Sequence, residues 1–132
     1  MDDADVFPAI AEGAQCLRGA IMKYFVDEQT RAASHSSCYF EFQRGRYAGA
    51  HWKSDSICLN GDLWNELRLS ELFAAAIPGF AYCGVTRVTP RDWARLEALS
   101  QSHPAWRKVV EEARPWVERC FAAHSEFSLL GI

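Results

Sequence analysis

Cys120 and His124 stand four residues apart in an apolar, helix-patterned stretch. That spacing places two side chains on one helical face and could offer a thiolate and an imidazole to a zinc ion. A structural zinc takes four ligands, and the sequence supplies no second pair at a recognisable spacing. The apolar stripe around the two residues accounts for them more simply, as a buried thiol and a histidine at the helix end, where the dipole favours a cation. His35 and Cys38, a second short-range pair, fall where a polar loop meets a strand. A Cys–His nucleophile could be assembled from these residues, but nothing local marks an activated thiol. The chain carries no Gly-rich phosphate loop, dinucleotide fingerprint, His-Glu-x-x-His, Cys-x-x-Cys or nucleophile elbow. The expectation is therefore a protein without catalytic residues, metal, cofactor or small-molecule substrate.

Two other constellations suit binding better than catalysis. Arg44, Arg46, His51 and Lys53 interleave with Tyr47 and Trp52. Cations for phosphates beside aromatic platforms for bases are what single-stranded nucleic acid requires, so a nucleic-acid-binding accessory protein acting through a hairpin at 44–53 is one reading. Against it, period-two placement turns the aromatics of a solvated hairpin toward the core. Asp55, Asp62, Glu66 and Glu71 surround Trp64. An acidic surface with an aromatic anchor can oppose the basic cleft of a nuclease, speeding encounter and contributing a desolvated hot spot. These five residues form the candidate interface for a protein partner; the competing reading is an exposed helix face with Trp64 half buried.

The elements that must position these groups follow from composition and periodicity. With 132 residues, 49% of them hydrophobic, the chain suits one globular domain over 1–132 with a single core. A net charge of −3 argues against general nucleic-acid affinity. The start, Met-Asp-Asp-Ala-Asp, is acidic where a secretory signal needs positive charge. Leu72 to Thr86, the longest uncharged run, is broken by Pro78, Gly79 and Gly84 and is too short to span a membrane. Five scattered cysteines read as reduced thiols of a cytoplasmic protein.

Ile10, Ala14, Leu17, Ile21, Tyr24 and Phe25 recur at helical spacing and predict a helix over 8–28. Alternation predicts a strand at Cys38–Gln43, and Arg44-Gly45-Arg46 a turn into a second strand at Tyr47–Trp52. Ile57–Leu59 suits a short third strand, with a turn at Asn60-Gly61-Asp62. Residues 63–77 suit two short helices, the second capped by Ser70 and ended by Pro78-Gly79. Phe80–Val88 predicts a strand with Gly84 at a bulge or close contact. Thr89-Pro90-Arg91-Asp92 combines a cap, a first-turn proline and an acid at the positive end of the dipole, the clearest helix start in the chain. That helix stops near Ser102-His103-Pro104. A final one from Ala105 is expected to bury Trp106, Val109, Val110, Ala113, Trp116, Val117, Cys120, Phe121 and His124, with a kink at Pro115. Residues 127–132 form an apolar tail able to dock on the body.

The stretch ELFAAAIPGFAYCGVTRVTPRDWARLEALS, residues 71–100, resembles the central part of small bacterial immunity proteins of contact-dependent growth inhibition and other polymorphic toxin systems. The shared texture is a short helix, a Pro-Gly break, a strand ending in Gly-Val-Thr and a Thr-Pro-x-x-Trp helix start. It implies neutralisation of a co-inherited toxin, often a nuclease, by occlusion of its active site. Such proteins share no catalytic motif to carry over, so the interface residues above rest on charge alone. The tight turn between the first two predicted strands favours an α+β fold, a small mainly antiparallel sheet packed against several helices, over a parallel βαβ winding.

Overall fold

Along Tyr39–Arg44 (β2) the side chains alternate, Phe40 and Phe42 to one face, Glu41 and Gln43 to the other, as an extended chain requires. In a computed structural model, which describes residues 22–132, this strand lies at the centre of a five-stranded antiparallel sheet. Phe25–Asp27 is β1, Ile57–Asn60 β3, Val85–Val88 β4 and Phe127–Leu130 β5. The strand order is β1-β3-β2-β5-β4. The helices are Glu28–Ala33 (α1), Gly61–Glu66 (α2), Leu69–Ala76 (α3), Pro90–Ser100 (α4) and Pro104–Ala123 (α5). The fold is thus α+β, with one apolar core among the described residues.

The core sits on the face bearing Phe40, Phe42 and Phe127. Trp64 of α2 stacks on Phe40 at 3.9 Å, and Phe73 of α3 and Trp116 of α5 meet Phe42 edge-on at 6.4 and 6.0 Å. Trp93 of α4 meets Phe127 at 6.1 Å. Four helices therefore cover one face with aromatic contacts, each worth about 0.5–1.5 kcal/mol beyond the area it buries.

Several expectations from the sequence change on this scaffold. The helix predicted over 8–28 lies for the most part outside the described residues; its last part is not helical. Phe25–Asp27 instead pairs with β3, and Glu112 of α5 accepts the N–H groups of Lys23, Tyr24 and Phe25 at 2.7–2.8 Å. A carboxylate on a distant helix and a strand ladder together outweigh local helical spacing. The strand expected at Tyr47–Trp52 does not form. Both edges of β2 are occupied, by β3 and β5, and Gly49 and Trp52 have φ of 99° and 60°, outside the extended region. Residues 80–84 form a turn, with the Phe80 N–H on the Ile77 carbonyl and the Ala81 N–H on Thr86 Oγ1.

Ser70 is not the cap of α3. Arg68 occupies that position in a left-handed conformation, and Ser70 Oγ accepts the indole N–H of Trp64 at 2.8 Å. The α4 start is as predicted: Thr89 and Asp92 form a reciprocal capping box with Pro90 in the first turn. α5 runs unbroken through Pro115, which lies on the exposed side. The apolar tail is the largest surprise. Phe127–Leu130 is an inner strand between β2 and β4, and beyond it the Gly131 and Ile132 N–H groups bond the carbonyls of Gly84 and Tyr82.

That close approach gives Gly131 its role, because a Cβ there would overlap the Tyr82 carbonyl. Gly131→Ala is expected to cost about 1–3 kcal/mol in urea unfolding. Gly79→Ala, whose Cβ meets nothing within 4 Å, should stay within about 0.5 kcal/mol of the parent. Equal effects at both positions would remove the steric account.

Candidate functional site

Trp64 cannot anchor the acidic surface. It is fully buried, stacked at 9° to Phe40, with its N–H held by Ser70. Asp55 also leaves the set. It precedes β3 whereas Asp62 follows it, which separates the two by on the order of 15 Å along the strand. There Asp55 Oδ2 lies 3.4 Å from Arg44 Nε, and its carbonyl accepts the indole N–H of Trp116. Glu71 remains on the α2–α3 side but is paired with Arg68 one turn earlier.

Asp62 and Glu66 are brought together. They stand exposed one turn apart on α2, and neither takes part in an ion pair with another described residue. The α2 start is fixed by Asn60, whose Oδ1 accepts the Asp62 and Leu63 N–H groups at 2.8 and 3.2 Å. Between the two acids, Asn65 Oδ1 accepts the hydroxyl of Tyr82 at 3.3 Å. Tyr82 is 38% exposed and Ile132 39%, and the Ile132 side chain lies directly over Gly61. The surface therefore has an aromatic and an aliphatic group beside two carboxylates, but the ring is Tyr82. Sequence reading missed it because Tyr82 lies in a stretch that looks like strand interior, and only the turn at 80–84 turns it outward.

The thiol and imidazole groups do not assemble. Cys120 is buried, its Sγ 3.6 Å from the Glu126 carbonyl, and burial pushes its pKa up. His124 lies just beyond the helix in extended backbone, with its ring against Gly45. The four-residue spacing holds only while the helix continues, and α5 ends at Ala123. Burial, with the Glu41 charge second, likewise raises the pKa of Cys58. Both thiols are held protonated, the opposite of what a nucleophile needs. His35 and Cys38 are each exposed, the latter with its N–H on Ser36 Oγ. Among the described residues no three His, Cys, Asp or Glu side chains converge on a common point, and no helix is long and apolar enough to cross a membrane.

The face of the sheet opposite the helices explains the buried polar side chains. Glu41, Gln43 and Ser128 share that face and are at most 2% exposed. All three grip the segment 45–56. Glu41 accepts the N–H groups of Trp52 and Lys53 at 2.8 Å and the Ser56 hydroxyl at 2.6 Å. Gln43 Nε2 donates to the Ala50 carbonyl at 2.7 Å, and the Ser128 hydroxyl to the Gly45 carbonyl at 2.8 Å. The Arg31 guanidinium, bonded twice to Glu28, lies 3.9 Å from the Trp52 ring centre. The segment 44–53 is therefore a loop clamped over the sheet, and Tyr47, His51 and Trp52 stay at or near its surface, not in the core.

Comparison of the chain with protein-family models, curated proteins and solved structures returned no match.

Glu41→Gln should test the clamp. Its amide would point an N–H₂ at one of the three donors, so a loss of about 2–3 kcal/mol is expected, with faster amide exchange at Trp52 and Lys53. Unchanged protection of those two amides would refute the clamp.

A second expectation concerns acid. Hydrogen bonds from Arg87 at 2.7 and 2.9 Å hold the Glu126 carboxyl below the ordinary carboxylate range. A depressed native pKa contributes stability that is complete above the unfolded value and disappears as pH falls through the native one. The stability gap between the parent and Glu126→Gln should therefore close on acidification below the usual glutamate range. A gap that widens in acid would reverse the assignment.

Proposed function

We propose that this chain is an immunity protein: it binds a co-inherited bacterial toxin in the cytoplasm, one to one and without a cofactor, and occludes the active site of a basic nuclease domain. The observation that carries the reading is the outward face of α2 with its neighbour, where Asp62 and Glu66 flank the Asn65–Tyr82 hydrogen bond and Ile132 adds apolar area. Exposed carboxylates raise the encounter rate with a basic cleft, and a tyrosine held at its hydroxyl end offers contact area at low entropic cost. The resemblance of residues 71–100 to immunity proteins supports the same reading. Glu71, tied to Arg68, serves at the rim of the surface.

The test uses the toxin domain encoded beside this gene. The full chain should abolish its nuclease activity at stoichiometric concentration. Asp62→Lys with Glu66→Lys should lower the association rate about tenfold at low salt and leave dissociation nearly unchanged. Tyr82→Ala should act chiefly on dissociation. An adjacent toxin domain that stays fully active in excess of the protein would end this proposal; unaltered association by the charge-reversed variant would remove the α2 face from it.

A further inference from the structure

The loop 45–56 is not used by the α2 surface, and it is more ordered than a connection needs to be. Trp52 holds a φ of 60°, a conformation costly for a bulky side chain, fixed there by Glu41 on its N–H and Arg31 beneath its ring. The ring of His51 meets that of Tyr47 edge-on at 5.6 Å and lies tilted by 54° to that of Trp52 at 6.0 Å, so three rings cluster on one loop in different planes. Arg46 and Lys53 are exposed among them, and neither enters an ion pair with another described residue. Of the negative charges nearby, Glu126 is bonded to Arg87 and also attracts Arg46. Glu41 is buried and takes three donors, Glu28 holds Arg31, and Asp55 faces Arg44.

We propose that the loop 45–56 is a binding site for a short single-stranded nucleic acid, with two or three bases stacking on Tyr47, His51 and Trp52 and the backbone phosphates meeting Arg46 and Lys53. Stacked rings accept any base and two cations contribute a modest, salt-sensitive attraction, so the site is sequence-tolerant. The acidic remainder of the molecule limits contact to this loop, which favours a few nucleotides of single strand over a duplex lying across the surface. Since the site shares no residue with the α2 surface, it does not depend on the immunity reading.

The probes are fluorescent twelve-nucleotide oligo(dT) and oligo(rU), titrated with the full chain at about 20 mM salt, a condition that favours phosphate contacts. Saturable binding that quenches tryptophan fluorescence is expected, with a log–log salt slope near −1.4, about −0.7 for each of two phosphates. Trp52→Gly removes the ring while suiting the positive φ, so the loop keeps its path; this variant and Tyr47→Ala should each weaken binding about tenfold. Thermal melting confirms that both are folded. Asp62→Asn with Glu66→Gln, which neutralises the α2 acids, should bind the oligonucleotides as the parent does. No saturable binding at low salt would overturn the proposal, as would binding that Trp52→Gly and Tyr47→Ala leave intact. Loss of toxin inhibition in those loop variants, with no oligonucleotide bound by the parent, would reassign the loop to the protein partner.

Discussion

The strand Phe127–Leu130 is the piece on which the sheet closes. It bonds β2 on one side and β4 on the other, and it is the only neighbour that β4 has in the sheet order. Its register sets Leu129 opposite Phe42 on the helix-covered face and Ser128 opposite Gln43 on the other. A one-residue slip would exchange those two sets and place a serine in the aromatic core. The pairing with β2 spans most of the described chain, so it carries a large loop-closure cost that the finished sheet must offset. The short link after α5 is fixed by the Arg87–Glu126 pair, which fastens it to β4 where pairing begins.

With the sheet closed, its two faces are held by different physics. The helix side is apolar and tolerant in detail, with its stability spread over many ring and aliphatic contacts. The opposite side is a polar layer with little tolerance. A buried carboxylate such as Glu41 is costly unless both oxygens are hydrogen-bonded, and here two amides and a hydroxyl converge on them. The same requirement fixes the loop, since those donors belong to residues 52, 53 and 56. Glu112 does the equivalent at the other end of the chain, taking three successive amides ahead of β1. Both carboxylates thereby order backbone.

This division explains what could be read from the sequence. Elements coded by neighbouring residues were legible: the Thr89–Asp92 box, the Pro78-Gly79 stop, the alternation of β2, and β3, although the turn expected at Asn60-Gly61-Asp62 is the capped start of α2. Elements coded by distant partners were not. Nothing near Phe127 distinguishes an inner strand from a docked tail, because the distinction lies in β2 and β4. Glu41 and Gln43 look solvent-facing by period alone, and only the loop folding back over them makes them core. Trp64 read as a surface anchor because it is flanked by acids, but α2 is so short that its apolar side consists largely of that indole, and Phe40 takes it. Of the predicted interface, Asp62 and Glu66 persist as neighbours because helical spacing is a local property. Asp55 is lost because a strand intervenes.

The same strand that separates Asp55 from Asp62 separates the loop from the α2 face. β3 is entered from the segment carrying Arg46, Lys53 and Asp55 and leaves into the helix carrying Asp62 and Glu66. Each end is fixed by its own hydrogen bonds, Glu41 and Ser56 on the loop side and Asn60 on the helix side. On the two proposals above, a basic partner would meet the α2 face and a polyanion the loop, which share no residue. Four residues of strand suffice to keep them apart.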